Sequence, residues 1–230
     1  MVAAAMELKR IGVSKKSLLV VPNHIVDDFA KAFFSLYLKS DILVPPQGGL
    51  SKQNRISFFE RACMLNIDAI IIGHSAFKFL QVSAQTQQEV YTSMIEDMDN
   101  ALFKMNNIKG LDKRVISQQI QQKERLEKKL EDILSNVGDK DYEASTIENI
   151  GIDSILVDEA HLFKNLGLPT SMSRIAGLGS TSQMAMDLFL KIQYFNKING
   201  RVVFATGTLI SNSMAELYTM QRYLSLDSLK

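Results

Sequence analysis

The 230-residue sequence predicts a doubly wound α/β domain, on three observations. Five short runs, Leu18 to Val21, Ile42 to Val44, Ala69 to Ile72, Ile155 to Val157 and Val202 to Ala205, are apolar throughout and rich in Val, Ile or Leu. Strands of a parallel sheet covered on both faces read this way, whereas half-exposed strands alternate. Between the runs lie helical patterns, Val26 to Leu38, Arg55 to Leu65, Gln183 to Asn196 and Met214 to Leu224, and this alternation selects a parallel sheet flanked by helices. The composition, 46% hydrophobic and 22% charged, is that of a folded chain able to bury a substantial core. Sheets of this kind place their chemistry in the loops at the carboxyl ends of the strands.

Met1 to Arg10 also reads as a helix, with Gly12 available to terminate it. Its apolar start is cut short by Glu7, Lys9 and Arg10, too soon for a signal peptide. No run approaches the roughly 20 apolar residues of a membrane-crossing helix, so the expectation is a cytoplasmic protein with no membrane partner. The single cysteine, Cys63, excludes an intrachain disulfide framework, and its place beside Met64 and Leu65 reads as core packing. Three scattered histidines argue against an all-protein zinc site. The net charge of +1 supplies no global basic field, so contact with nucleic acid would need a local patch.

The rhythm breaks between residues 74 and 150. No proline occurs from Pro46 to Pro169, and Lys123 to Asp132 holds four basic and four acidic residues. Leu126, Leu130, Ile133 and Val137 follow a short coiled-coil-like spacing that does not extend back through Ile116 and Ile120. The expected organisation is therefore 1–73 as the first part of the sheet domain, 74–150 as a helical insertion, and 151–230 as the second part. The insertion suits a solvated connection or a partner-binding arm equally. Thr170 to Ser182, with Arg174 at its centre, reads as a mobile loop.

The most informative segment is Asp153-Ser154-Ile155-Leu156-Val157-Asp158-Glu159-Ala160-His161, an apolar strand ending in two carboxylates and a histidine. Carboxylates at the mouth of a parallel sheet can hold a hydrated Mg²⁺ and orient an attacking water. Taken alone, the pair is better read as the acidic first turn of a helix. With His161, Lys164 and Asn165 the segment resembles the DEAH form of the Walker B motif in superfamily-two helicases and Swi/Snf-type DNA translocases. Three more segments agree, in the required order. Val20-Val21-Pro22-Asn23-His24 resembles motif Ia, and Asp68 to Phe77, with Gly73-His74-Ser75, stands in the place of motif Ib. Val202 to Ser213, with Thr206-Gly207-Thr208, resembles motif III, some 45 residues beyond the acidic pair, and Met214 to Leu224 matches the helix after it. The wording is most similar to the helicase region of phage- and plasmid-borne proteins that join a Swi/Snf-like ATPase to an adenine-specific DNA methyltransferase.

The resemblance implies the first RecA-like lobe of an ATP- and Mg²⁺-dependent, DNA-stimulated translocase. Asp158 and Glu159 would bind the Mg²⁺ shell of a nucleotide and activate water, and His161 would link that site to Thr206, Gly207 and Thr208. Asn23, His24, His74 and Ser75 would face DNA, while Lys164 and Asn165 match the residues after the DEAH segment in a structural role. Two departures stand out. Leu209 replaces the proline that usually follows Thr-Gly-Thr, which loosens a turn but removes no catalytic group. No Gly-Lys-Thr or Gly-Lys-Ser phosphate loop occurs anywhere in the sequence. The expectation is thus a fragment that starts just after that loop, lacks the phosphate-loop strand and the second lobe, and hydrolyses ATP negligibly unless the rest of the parent helicase–methyltransferase supplies them. The strand at Arg201 to Thr206 would then present an open edge, favouring aggregation or pairing with another chain. The alternative is a non-catalytic remnant that binds DNA or a protein partner.

Overall fold

The computed structural model describes residues 1–46, 49–107, 113–135, 146–167, 181–210 and 214–229. Two compact units emerge, one of 1–83, 140–162 and 191–208, the other of 84–139, 163–190 and 209–230. Val137, Arg174 and most of the 170–182 loop, and Ser211 to Ser213 of the motif III segment, lie outside the described residues.

The first unit is an α/β, RecA-like parallel sheet. Its strands are β1 (Ser17–Val21), β2 (Ile42–Leu43), β3 (Ala69–Gly73), β4 (Ser154–Val157) and β5 (Arg201–Phe204). They lie in the order β2-β3-β1-β4-β5, every pairing parallel. Each strand sits within one residue of its apolar run at either end. Leu18, Leu19, Val20, Val21, Ile71, Ile72, Ile155, Leu156 and Val157 are fully buried, so side chains on both faces of the central strands are covered. β5 is an edge strand and is only half-buried.

Helix α1 (Val2–Arg10) covers one face through Val2 and Ala5, which join α2 (Val26–Leu36), by way of Phe33, over Leu19, Val21, Ile71 and Leu156. The α1 terminus is a Schellman turn, with Gly12 N–H bonded to the Lys9 carbonyl and Val13 N–H to the Leu8 carbonyl. Gly12 has φ +76°, a conformation that favours glycine over any residue with a Cβ. Helix α3 (Lys52–Met64) starts three residues before its apolar pattern because Ser51 caps it, accepting from Asn54 N–H. Cys63 on this helix is half-buried, and Met64 is exposed. Burial nevertheless dominates the surroundings of the Cys63 thiol and raises its pKa, against the opposing pull of Lys16.

The register decides where the chemistry collects. Val21 pairs with Gly73, Val20 with Val157, and Val157 with Phe204. The residues that follow β1, β3, β4 and β5 therefore leave the sheet along one edge.

The second unit is helical. Helices α5 (Ala84–Asn106) and α6 (Lys113–Ser135) pack on each other, after the short α4 (His74–Phe77) of the sheet unit. Tyr91, Met98 and Met105, seven residues apart, form the buried stripe of α5, and Lys123 of α6 pairs with Asp99 at 2.7 Å. The seam read from Leu126, Leu130 and Ile133 is only half-buried. After α7 (Ile147–Ile150), helix α8 (Gln183–Lys197) begins in this unit and ends in the sheet unit, and α9 (Met214–Leu224) completes the helical core. Tyr223 is buried with its hydroxyl 2.9 Å from the carbonyls of both Phe163 and Ala185, and burial pushes its phenol pKa up. Lys164, just beyond the acidic segment, meets the buried Glu216 of α9 at 2.9 Å. Residues 84–139 fall in one compact unit with 163–190 and 209–230.

Candidate functional site

Asp158 and Glu159 follow β4, a central strand with neighbours on both sides. The Asp158 backbone is anchored, its N–H donating to the Val20 carbonyl at 2.8 Å. Its side chain is half-buried, and its carboxylate has no hydrogen-bond partner among the described residues. Glu159 adopts φ +50°, a left-handed conformation that costs a non-glycine residue roughly 1–2 kcal/mol. The next residue returns to the sheet, Ala160 N–H donating to the Ala205 carbonyl at 3.0 Å. That bond ties the acidic loop to the end of β5.

The same two loops meet through side chains. His161 Nδ1 lies 3.0 Å from Glu159 Oε2 and 3.1 Å from Thr206 Oγ1, so a proton on Nδ1 has both oxygens as acceptors. Thr206 Oγ1 also accepts from Thr208 N–H at 3.2 Å, which folds the Thr-Gly-Thr turn around the hydroxyl. Gly207 and Thr208 are exposed.

On the other side of the sheet edge, Asn23 and Ser75 come together. Asn23 Oδ1 accepts from Ser75 N–H at 3.1 Å and from Ser75 Oγ–H at 3.0 Å. Gly73 makes the approach possible, since a Cβ there would stand 2.2 Å from Asn23 Oδ1. Asn23, Ser75 and Lys78 line an open cleft of about 610 Å³ together with Pro45 and Phe79. His24 is exposed on the turn after β1.

His74 sits between the two clusters. Its Nε2 lies 3.0 Å from the Asp158 carbonyl oxygen, across the end of β1. Burial lowers the pKa of its imidazole, and the Asp158 carbonyl works against that shift. A ring carrying a proton on Nε2, neutral or cationic, donates this bond.

The family of probable helicase domains matches this chain over residues 1–230. The chain belongs to that family. A search of curated proteins finds no match. In this helicase domain most of the residues singled out from the sequence gather along one sheet edge, while His24, Gly207 and the Thr208 side chain stay exposed outside the two clusters. Asp158, Glu159, His161 and Thr206 make one cluster, Asn23 and Ser75 another, and His74 bridges the first to the loop of the second. Sequence reasoning missed the bridge and the strained backbone of Glu159. Neither leaves a local signal, since the bridge spans 84 residues and Glu is not a residue type that marks positive φ. The tight pairing of Gly73 with Asn23 did leave one, a glycine ending an apolar strand.

The donor set suits a hard cation. Asp158 and Glu159 offer carboxylate oxygens, with no thiolate near them, as Mg²⁺ prefers. Among the described residues no group of three or more His, Cys, Asp or Glu could hold a metal by itself. Among the same residues no helix is long and apolar enough to cross a membrane.

Proposed function

We propose that the sheet unit of this helicase domain is the metal- and water-handling half of an ATP-hydrolysing site in a DNA-dependent translocase of the Swi/Snf type, the kind joined to adenine-specific DNA methyltransferases. The single observation behind the reading is the joining of Glu159, His161 and Thr206 at the ends of adjacent strands, beside the Asp158 carboxylate, which has no partner among the described residues. Asp158 would hold Mg²⁺ through its water shell, and Glu159 would orient a water and take its proton. Bound with ATP, the ion would polarise the phosphoryl oxygens as a Lewis acid. His161 fixes the Glu159 carboxylate through Nδ1 and ties it to the motif III hydroxyl, so a shift of either loop moves the other. The cleft at Asn23, Ser75 and Lys78, which Asp27 also lines, offers polar hydrogens and a cation to a DNA backbone.

The sequence contains no Gly-Lys-Thr or Gly-Lys-Ser loop, so this half of a site should hydrolyse ATP negligibly by itself, with or without DNA. Robust hydrolysis that Glu159→Gln abolishes would overturn that limit, and hydrolysis untouched by Glu159→Gln would overturn the role of Glu159. Metal binding is tested directly by NMR of the three histidines, using Mn²⁺ with ATP as a paramagnetic probe. His161 and His74 should broaden before His24, and Asp158→Asn should remove the difference. Uniform broadening of all three would sink the assignment. DNA binding should be salt-sensitive and weakened by Lys78→Glu. Binding indifferent to Lys78→Glu would remove the cleft from the proposal.

A further inference from the structure

The helical unit contains a cavity of about 350 Å³ that the sheet-edge site does not use. That volume lies within the range of small-molecule pockets, about 300–1,000 Å³. Its apolar wall comes from Tyr91 and Met98 of α5 and Met186 of α8, all at least nine-tenths buried. Arg125 and Lys129 of α6 stand on its exposed rim, and Asp97 is the one acidic residue lining it among the described residues.

Arg222 of α9 is the unusual member. It lines the cavity, yet the residue is only 8% exposed. Among the described residues its guanidinium has a single hydrogen-bond acceptor, the Gly167 carbonyl at 3.2 Å, and it rests 5.4 Å from the Phe189 ring centroid. A guanidinium carries five N–H donors and is costly to bury without an anion. Burial accordingly lowers its pKa, with Tyr218, Tyr223 and, least, Asp97 opposing. The cavity is also bounded by Ser182 and Gln183 at the N-terminal turn of α8, a 15-residue helix. Ser182 Oγ accepts from Ala185 N–H, and the positive end of the helix adds to the potential there. Among the described lining residues, Arg125, Lys129 and Arg222 face Asp97, so cations predominate.

We propose that this cavity binds a nucleoside phosphate, with the phosphate held by Arg222 and the rim cations and the base lying against Tyr91 and the methionines. Phosphate matches the planar donor fork of arginine and the helix terminus. A flat, polarisable ring matches a wall of tyrosine and thioether groups. A free nucleotide and a nucleotide of a DNA strand share this chemistry. The site is independent of the acidic pair, so its failure would leave the Glu159 and Asp158 results untouched.

The test is a titration of the full chain, labelled at its methionine methyl groups, with AMP, a short single-stranded DNA oligonucleotide, inorganic phosphate and a phosphotyrosine peptide in turn. The Met98 and Met186 resonances should shift saturably with AMP if the source is a free nucleotide, or only with the oligonucleotide if it is a strand. Charge reversal on the exposed rim, Arg125→Glu with Lys129→Glu, should weaken the binding at least about tenfold. Arg222→Gln should abolish it, with circular dichroism to confirm the fold. Should that variant unfold, the rim variant alone decides. Absence of saturable shifts, or affinity unchanged by the rim reversal, would overturn the proposal. So would inorganic phosphate binding as tightly as AMP, since the apolar wall would then read nothing. Tighter binding of the phosphopeptide would overturn it in favour of a protein partner.

Discussion

Asp153 and Asp158 bracket the same four-residue strand, one at each end, and their surroundings differ completely. The Asp153 carboxylate accepts from Ser14 Oγ at 2.5 Å, Lys15 N–H at 2.7 Å and Lys16 N–H at 3.1 Å. Ser14, Ser17 and Ser154 extend that network within 3.4 Å of one another. Beside it, Lys16 Nζ donates to the carbonyls of Ala62, Leu65 and Ile150. Asp158 has a fixed backbone but no partner for its carboxylate among the described residues. A saturated carboxylate holds the sheet together, whereas a positioned and unsaturated one is free to hold something else. The amino end of this sheet is a structural clamp, and the carboxyl end is where we place the proposed site.

The comparison breaks most sharply under paired substitution. Asp153→Ala removes three hydrogen bonds to a charged acceptor and leaves a part-buried hydroxyl and two amides without it. Such bonds contribute roughly 1.5–3 kcal/mol each and are not additive, so a loss of about 3–4 kcal/mol is expected in urea denaturation. Asp158→Ala should stay within about 0.5 kcal/mol of the unsubstituted chain. Equal losses at the two positions would erase the distinction.

Lys16→Met should follow, costing about 2 kcal/mol as three carbonyls lose their donor. It also carries a pH signature. Burial lowers the Lys16 pKa below its usual 10.5, with Cys63 and Asp153 opposing. Between the folded-state pKa and 10.5 the unfolded chain holds a proton that the folded chain has released. Stability therefore gains from Lys16 as pH rises through that window, and the methionine variant should show a flatter profile there.

How much of this was legible follows from what each feature depends on. The strands were, because burial on both faces leaves continuous apolar runs such as Ala69 to Ile72. The acidic pair and the Thr-Gly-Thr turn were legible as motifs, and the parallel register then brings Glu159 and Thr206 to His161. Asp153 was read only as the start of the acidic segment, because its value lies in Ser14, Lys15 and Lys16, more than 130 residues away. The second unit was the least legible. Its core buries Gln119, Glu216 and Arg222, polar residues that an apolar pattern cannot mark. Ser51 was not singled out either: the helix was read only from Arg55, and the cap shows in the structure, where Ser51 Oγ accepts from Asn54 N–H.

A third substitution tests the carboxyl end by crowding it. Gly73→Ala would put a methyl group 2.2 Å from Asn23 Oδ1 and 3.2 Å from the Asn23 Cα. The side chain can swing away, but only by giving up its bonds to Ser75, so a cost of about 1–2 kcal/mol is expected. The Ser75 amide should also exchange faster with solvent. Unchanged exchange would show that the Asn23–Ser75 link is not what holds the cleft.

The smallest effect separates the site from the scaffold most cleanly. Glu159 and Asn199 are the non-glycine residues at positive φ among those described, at +50° and +54°. Placing glycine at such a position relieves roughly 1–2 kcal/mol of left-handed strain and returns roughly 0.5–1 kcal/mol as chain entropy. Glu159→Gly should therefore stabilise the chain by about 0.5–1 kcal/mol, even though it deletes the carboxylate that His161 meets. Asn199→Gly should gain less, because asparagine already tolerates this conformation. A stability loss at Glu159 would mean that its contact with His161 outweighs the strain and that the residue belongs to the scaffold. A gain would mark strain retained at the loop where we propose that the carboxylate orients a water.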